Sequence, residues 1–406
     1  SMGIFKKESP WEEYQQKLTS AKLHHTTVGR QWIAAGNSVL AEAPVVEVPL
    51  MLKGSFLAKT VSALAWQFGA ARGAPVQIRL GWKPVDSSQV FADVFYKGPE
   101  LKHQSSMQPG DTVLTVEVER TGTYVLRLQP ELFGEGNFEV VLKTAPTYSV
   151  FPVFGKDSRA VQSFWGAPRG GGSRKHEGID IFAPRGTPVV APVDGRVTAV
   201  RERGLGGKQV WMRDGERGFN LYFAHLDSQT VDFGQLLRAG DTLGIVGNTG
   251  NAKFTPPHLH FGVYAKGAFD PYPLVNTRHA EPSGVDIQSG QGLYKVAASK
   301  ANLRLGPGTG HPILHTLSNG EVVFVSAVTT AWYQVGTPDG VQGFIHASLL
   351  RLADTQSTSD SAAWVQANPF TNPGDSLFIP LNDFATYGNY QAYEVLGDSE
   401  GNIFYR

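Results

Sequence analysis

Short segments in which apolar and polar residues alternate one by one recur through the first third of the chain. Because successive side chains of a strand point to opposite faces, this period of two predicts strands with one buried face. Turn residues separate the segments, and together they predict a β-sandwich over residues 41–148. The alternating apolar sets are Val76/Ile78/Leu80, Leu114/Val116/Val118, Tyr124/Leu126/Leu128 and Phe138/Val140/Leu142.

Length and composition predict a mostly β, multidomain protein. A chain of 406 residues is too long for one compact core, and 46 Gly and 25 Pro favour strands joined by turns. Residues 1–40 are predicted to be a helical N-terminal segment, since Ser9-Pro10 can begin a helix that continues to about residue 35. A polar stretch over 281–290 predicts a linker. Residues 354–406 are predicted to be an aromatic-rich C-terminal extension that packs as strands on a neighbouring domain.

Charge balance and the absence of cysteine exclude several classes of protein. Lys plus Arg and Asp plus Glu number 36 each, so the zero net charge gives no electrostatic basis for binding nucleic acid or an anionic membrane. Without Cys, any metal site must use histidines and carboxylates. No apolar stretch is long enough to span a bilayer. The opening Ser1-Met2-Gly3 resembles a cloning remnant, so we expect that a signal peptide or lipid anchor was removed.

Two histidines separated by one residue, His258 and His260, follow a His176-Glu-Gly-Ile-Asp180 string by about eighty residues. On a strand, residues two apart point to the same face, so His258 and His260 would lie side by side. A histidine and a carboxylate from the distant string could then complete a zinc site, since imidazole and carboxylate oxygen are ordinary zinc ligands. A catalytic zinc site keeps one position open for water, so the pattern indicates hydrolysis by a zinc-bound water.

Four strings around these residues occur in one order along the chain. Together they closely resemble the lysostaphin/LytM-type zinc endopeptidases, which cut peptides of bacterial peptidoglycan. The resemblance covers about 130 residues and implies an antiparallel-sheet peptidase core, which we assign to residues 149–282. The strings are His176–Val189, Ala191–Val197, Leu221–Leu226 and Gly240–Gly262.

The resemblance also implies the site residues. His176, Asp180 and His260 would bind one zinc ion per chain, and His225 and His258 would be the catalytic histidines beside it. An imidazole near the water can take its proton, and another donor can stabilise the oxyanion. We assign the first role to His258 and the second to His225, and the two roles could be exchanged. The remaining seven histidines are predicted to be ordinary surface or core residues: His24, His25, His103, His279, His311, His315 and His346.

A second resemblance concerns residues 290–353. The strings Asn302–Gly308, Trp332–Val335 and Gly343–Leu349 resemble a bacterial SH3-like domain, a small barrel often fused to cell-wall enzymes. It implies possible binding to the cell wall through this domain.

Some positions depart from the pattern of the peptidase family. Members often carry a tyrosine two residues before the histidine that corresponds to His225, and this chain has Phe223 there. Strand alternation predicts that the neighbouring Tyr222 points to the other face. Some members carry a further tyrosine before the first ligand, where this chain has Pro168–Ser173. Glu177 is predicted to be a loop residue, because a His-Glu-x-x-His base would need a histidine where Asp180 stands.

The sequence therefore predicts a secreted or periplasmic zinc endopeptidase that acts on peptidoglycan peptides. One alternative is a non-catalytic LytM-type regulator that activates cell-wall amidases, although such proteins typically lack a metal ligand. Another alternative keeps the zinc site and changes the substrate to a secreted protein. A third is autoinhibition by a residue within 150–175, for which Asp157 is the candidate. The N-terminal sandwich could position the substrate or cover the site.

Overall fold

A computed structural model of the chain describes residues 8–58, 62–85, 87–285, 292–353, 395–397 and 403–405. It is built mainly of antiparallel sheets, as predicted. Among these residues, no helix combines the length and apolar character needed to cross a membrane.

The N-terminal segment forms two helices, α1 (Pro10–Ser20) and α2 (Thr27–Ser38), rather than the single helix predicted over residues 9–35. Ser9 caps α1 as expected, since its hydroxyl accepts a hydrogen bond from the Glu12 amide. The chain then breaks at Lys22, which adopts the left-handed conformation with φ of 60°. Thr26 begins the second helix by accepting from the Gly29 amide.

The predicted β-sandwich is confirmed as two facing sheets. The first has the strand order β1-β3-β8-β5-β6, and the second contains the order β2-β9-β4-β7. All four alternating apolar sets lie in the buried core between them, which explains the period of two. The strands are β1 (Val45–Val46), β2 (Leu50–Phe56), β3 (Leu64–Ala70), β4 (Val76–Pro84), β5 (Val90–Lys97), β6 (Leu101–Ser106), β7 (Val113–Val116), β8 (Gly122–Pro130) and β9 (Gly136–Thr144).

A second core lies between residues 148 and 275, where a long antiparallel sheet has the order β10-β13-β20-β17-β16-β15-β18. Strands β14 and β19 pair with each other, and β19 also pairs with β17. The elements are β10 (Val161–Ser163), β11 (Pro168–Arg169), β12 (Arg174–Lys175), β13 (Ile179–Phe182), β14 (Pro188–Val190), β15 (Gly195–Arg203), β16 (Gly207–Asp214), β17 (Asn220–Gln229), β18 (Leu236–Leu237), β19 (Thr242–Val246), β20 (His258–Tyr264), β21 (Ala268–Phe269) and α3 (Tyr272–Val275).

The sandwich contacts this second core near one end of the long sheet. The Arg217 Nη2 atom lies 3.3 Å from Glu117 Oε1, and the Arg72 guanidinium lies 3.9 Å from the centre of the Phe269 ring. Phe269 lies on β21, which pairs with Val263 and Tyr264 near the end of β20. His258 and His260 lie at the start of β20, at the opposite end of that strand from Phe269.

The SH3-like strands continue the second sheet of the sandwich. Strand β25 pairs with β2 at Lys53↔Val328 and Gly54↔Ala327. The side chains of Ala327 and Phe344 belong to the sandwich core. The strands are β22 (Gly292–Val296), β23 (Lys300–Arg304), β24 (Ile313–Ser318), β25 (Val322–Thr329), β26 (Trp332–Gly336), β27 (Gln342–His346) and β28 (Leu350–Leu352).

The predicted linker and C-terminal extension lie largely outside the described residues. Residues 286–290 of the linker are not described, and 281–285 have no regular secondary structure. Of the extension, only β29 (Val395–Gly397) and β30 (Ile403–Tyr405) are described, and they pair with each other.

Candidate metal centre

The pairing of β13 with β20 places the candidate ligands on one face of the long sheet. Asp180 lies directly opposite His260, and directly opposite residues of an antiparallel pair share a face. Ile179, Ile181 and Leu259 point into the core and are fully buried. The alternation of apolar and polar residues in these two strands therefore brings a carboxylate and an imidazole together on the outer face.

His176 completes a compact group of three donors. Its Nε2 lies 3.0 Å from Asp180 Oδ1 and 3.0 Å from His260 Nδ1, and the last two atoms are 3.1 Å apart. Among the described residues, this is the only group of three or more His, Cys, Asp or Glu side chains close enough to hold a metal ion. The three predicted zinc ligands are thus brought together from two distant segments.

The chemistry of the three donors fits zinc. Imidazole nitrogen and carboxylate oxygen bind zinc at about 2.0–2.2 Å in tetrahedral sites. Donors of such an ion stand roughly 3.3 Å apart, and the observed separations of 3.0–3.1 Å require only a small movement. Three protein donors leave one tetrahedral position for water or substrate.

Hydrogen bonds fix which nitrogen of His176 faces the centre. His176 Nδ1 donates to the carbonyl oxygen of Phe164 at 3.0 Å, because a carbonyl oxygen can only accept. The lone pair of a neutral ring is then on Nε2, the atom that faces Asp180 and His260. The backbone contact at Nδ1 thereby leaves the Nε2 lone pair of His176 directed toward the other two donors.

Gly178 allows the His260 ring to approach the backbone of the first string. A Cβ atom at Gly178 would lie 2.6 Å from Cε1 of His260 and 2.6 Å from the carbonyl oxygen of Phe261. Neither the strand backbone nor the ring can move aside without displacing a donor. The glycine between His176 and Asp180 therefore belongs to the structure of the centre.

A β-bulge turns His225 toward the same face. The register between β16 and β17 shifts between Lys208↔Leu226 and Val210↔Phe223, so β17 holds one extra residue there. His225 itself has φ of 62°, the left-handed conformation that non-glycine residues rarely adopt. Without the bulge, His225 would share the core-facing side of Phe223. With it, the His225 ring lies 5.1 Å from that of His258 and 5.9 Å from that of His260.

Both predicted catalytic histidines are held at Nδ1 by a backbone carbonyl oxygen. His225 Nδ1 donates to the Thr249 carbonyl oxygen at 2.9 Å, and His258 Nδ1 donates to the Pro256 carbonyl oxygen at 2.8 Å. In a neutral imidazole with its proton on Nδ1, Nε2 carries a lone pair and accepts a proton. Each ring is therefore held ready to act as a base.

The electrostatic surroundings of His225 oppose its protonation. Burial, followed by the charges of His260 and His258, lowers the pKa of His225 to about 4. Near neutral pH the ring is uncharged, and its Nε2 can only accept a hydrogen bond. This is difficult to reconcile with the predicted role of His225 as the donor to an oxyanion.

The Asp180 carboxylate is the anionic member of the group. Burial raises the pKa of Asp180, but the contacts with His176 and His260 outweigh that effect and hold the pKa well below its usual range. A second contact comes from Arg169, whose Nη2 lies 2.6 Å from Asp180 Oδ2. Asp180 is consequently ionised at neutral pH, as a ligand must be.

Tyr222 and Phe223 lie on opposite strand faces, as predicted, but Tyr222 and not position 223 faces the site. Its ring packs edge-on against that of His260, with the ring centres 5.7 Å apart. The bulge is the reason, since it breaks the alternation between residues 222 and 225 and places both on the outer face. Phe223 is fully buried against Phe261. A tyrosine side chain at position 223 would therefore extend from the core-facing side of the strand.

Other candidates from the sequence lie away from the donors. Asp157 forms an ion pair with Arg159 and caps a 3₁₀ turn, and it is not part of the three-donor group. Glu177 is exposed, as expected for a loop residue. Within the described ranges, none of the seven histidines predicted to be ordinary joins the group.

Four supporting residues were not predicted from the sequence. A guanidinium contacts Asp180, a glycine makes room for His260, and two carbonyl oxygens accept from His225 and His258; the four residues are Arg169, Gly178, Thr249 and Pro256. The spacing of Gly178 within the His-x-x-x-Asp string could have indicated it. The other three act through contacts that only the fold creates.

Parts of the chain resemble known proteins. Residues 174–271 match Peptidase family M23, and residues 299–351 match the bacterial SH3 domain. The L-Ala--D-Glu endopeptidase of Bacillus subtilis (strain 168) is 38% identical over 136 residues, which cover 30% of this chain and 41% of that protein. The peptidoglycan DD-endopeptidase ShyC of Vibrio cholerae is 32% identical over 126 residues, covering 31% and 26%.

The chain thus spans less than half the length of these two curated relatives. Among solved structures, the catalytic domain of lysostaphin from Staphylococcus simulans is 28% identical, with a TM-score of 0.26 over 29% of this chain and 92% of that domain. The two family matches confirm the resemblances found in the sequence. Residues 174–271 form a domain of peptidase family M23, which is followed by a bacterial SH3 domain at residues 299–351.

Proposed function

We propose that the chain is a zinc-dependent endopeptidase that hydrolyses peptides of bacterial peptidoglycan. The observation that carries this proposal is the group of three donors within 3.1 Å of one another, beside two imidazoles that present Nε2. A non-catalytic regulator would need neither a complete donor set nor two oriented bases.

The residues of the chain divide the reaction between them. His176, Asp180 and His260 would hold the zinc ion. When bound, zinc supplies a Lewis acid that polarises the scissile carbonyl and lowers the pKa of a water ligand to about 7. His258 Nε2 accepts the proton of the attacking water, and the protonated ring then donates it to the leaving amine. The uncharged His225 supplies a second acceptor that orients the water.

The relatives support peptidoglycan as the substrate class. Their names identify one as an L-Ala--D-Glu endopeptidase and another as a peptidoglycan DD-endopeptidase, so they cut different bonds. For this chain we propose the shared class, a peptide of the cell wall. We also propose that the chain acts outside the cytoplasm, in the periplasm or secreted, and that residues 299–351 contribute binding to the wall.

Digestion of purified peptidoglycan sacculi tests the proposal. The products of the wild type, of His260→Ala and of a chelator-treated sample with and without added zinc would be compared by mass spectrometry. We expect zinc-dependent loss of cross-linked or full-length stem peptides with the wild type. The His260→Ala variant should lose at least a hundredfold in rate, in line with the share of the barrier that a metal centre carries.

Two of the three alternatives from the sequence give different results. A zinc-loaded wild type that leaves sacculi intact but stimulates a wall amidase would support the regulator. A zinc-loaded wild type that cuts only a secreted protein would move the substrate to that class. Either result would contradict peptidoglycan hydrolysis by this chain.

A further inference from the structure

Arg169 reaches the metal centre from a hairpin that directly precedes the first ligand. The hairpin joins β11 to β12 and ends one residue before His176. The Arg169 Nη2 atom donates to Asp180 Oδ2 at 2.6 Å and to the Ser163 hydroxyl at 2.6 Å. The Asp180 side chain is only 10% exposed, so this charge-assisted contact lies mostly out of water.

The arginine separates the two oxygens of the Asp180 carboxylate. Oδ1 faces His176 Nε2 and His260 Nδ1, while Oδ2 is occupied by Arg169. A carboxylate that is free to rotate can offer both oxygens to one cation or turn away from it. With Oδ2 held, Asp180 can offer only Oδ1 to the centre.

The same guanidinium also contacts the surroundings of His176. The Ser163 hydroxyl that accepts from Arg169 lies 3.3 Å from His176 Nδ1. Ser163 is paired with Asp180 across β10 and β13, so the serine is fixed by the sheet. One side chain therefore links two of the three donors, Asp180 directly and His176 through Ser163.

We propose that Arg169 is a positioning residue that holds Asp180 as a single-oxygen ligand and thereby sets the zinc affinity of the centre. This role rests on the proposed function, because it requires that the three donors hold zinc. Partners of metal ligands typically contribute ten- to a hundredfold to metal affinity or activity.

The positive charge of Arg169 acts against a bound cation, so two effects compete. The Arg169 side chain is 34% exposed, and water screens its repulsion of the ion. The orientation of Asp180 does not depend on screening, since it comes from a 2.6 Å hydrogen bond. The loss of orientation should therefore dominate when the arginine is replaced.

Zinc affinity of purified full-length variants, measured by competition with a chromogenic chelator, tests this role. Arg169→Gln should bind zinc about ten- to a hundredfold more weakly than the wild type, and Arg169→Lys should lie between them. Arg174→Gln is the matched control, because Arg174 is exposed and pairs with Arg169 across the hairpin. This substitution removes the same charge. Its affinity should stay within about twofold of the wild type.

The visible spectrum of the Co²⁺-substituted protein separates the two roles. It should change if Arg169 orients Asp180 and should not change if Arg169 only stabilises the fold. The visible absorption of bound Co²⁺ depends on its coordination number, so a second oxygen from Asp180 would weaken and shift the bands. We expect that change in Arg169→Gln and not in Arg174→Gln. If Arg169→Gln folds poorly, Ser163→Ala removes the link to His176 and should weaken zinc binding severalfold.

The outcomes distinguish the two proposals. Equal zinc affinity and equal cobalt spectra for Arg169→Gln and Arg174→Gln would overturn the role of Arg169 and leave the proposed function standing. A wild type that fails to bind zinc at all would overturn both.

Discussion

At the scale of single residues, the metal centre depends on small features beside the ligands. A glycine makes room for the His260 ring, and two carbonyl oxygens orient His225 and His258. Each feature acts on a donor or acceptor atom within about one side chain's length of the centre. Such contacts are expected around metal ligands, whose orientation sets both affinity and basicity.

A methyl group at Gly178 should disturb His260. We expect Gly178→Ala to lower the free energy of unfolding by about 1–3 kcal/mol, as overpacking does, and to weaken zinc binding. Denaturant unfolding and zinc competition measure the two effects. Gly267→Ala is the control, because a Cβ atom there would contact nothing within 4 Å. Similar results for both glycines would contradict the packing of Gly178 against His260.

The low pKa of His225 makes the zinc-free protein sensitive to acid. The pKa is about 4 in the fold, against 6.5 ordinarily, so the unfolded state binds more protons between these values. The contribution of neutral His225 to the free energy of unfolding is retained above pH 6.5. It is lost as the pH falls toward 4, by about 3 kcal/mol in total. The free energy of unfolding in urea should fall less between pH 7 and pH 4.5 for His225→Gln than for the wild type. Equal losses would contradict the assignment.

At the scale of elements, the bulge in β17 decides which side chains face the centre. One extra residue between Phe223 and Leu226 moves His225 from the core face to the outer face. The loop after β19 then supports the ring, because the Thr249 hydroxyl donates to the Leu226 carbonyl oxygen at 2.8 Å and accepts from the Lys208 amide at 3.0 Å. Thr249 thus connects β16, β17 and the loop at one point.

Removing the Thr249 hydroxyl should loosen His225 without unfolding the domain. We expect Thr249→Val to lower kcat/KM on sacculi about tenfold and to cost about 1–2 kcal/mol of stability, the value of two neutral hydrogen bonds. Thr187→Val is the control, since its hydroxyl donates only to Pro184 within its own turn. An activity equal to that of the control would show that Thr249 does not support His225.

Particular elements show how far the sequence could predict the centre. His258 and His260 lie on one strand two residues apart, so their shared face follows from strand geometry alone. That Tyr222 shares a face with His225 could not be predicted, because a bulge is defined by the register of the partner strand and leaves no local pattern. The contact of Arg169 with Asp180 could not be predicted either, because it exists only after the hairpin folds back.

At the scale of the whole molecule, the SH3-like strands and the sandwich form one packed unit. Strand β25 extends the sheet of β2, and the Trp66 indole donates to Gln334 Oε1 at 2.7 Å within the buried contact. The alternation and motifs of the sequence predicted both folds, but not that they share a sheet. The pairing of Lys53 with Val328, 275 residues further along the chain, depends on tertiary packing, which single-sequence patterns do not contain.

Shortening a side chain in the SH3-like part should therefore weaken the sandwich. Phe344 is fully buried in the sandwich core, and Phe344→Ala should cost about 3–5 kcal/mol. Amide hydrogen exchange should accelerate in β2 and β9 as well as in β26 and β27. Ile313→Ala, at a 51% exposed position of the same domain, should change neither the stability nor the exchange rates. Unchanged exchange in β2 and β9 of Phe344→Ala would contradict a shared core.

The claim that His176, Asp180 and His260 hold one catalytic zinc ion is tested most directly by zinc content. Elemental analysis of the purified wild type should give one zinc per chain after dialysis against a weak chelator. Single alanine variants at the three positions should retain almost none, while His315→Ala, an exposed histidine, should retain one. A wild type without zinc, or variants that keep a full equivalent, would contradict the account.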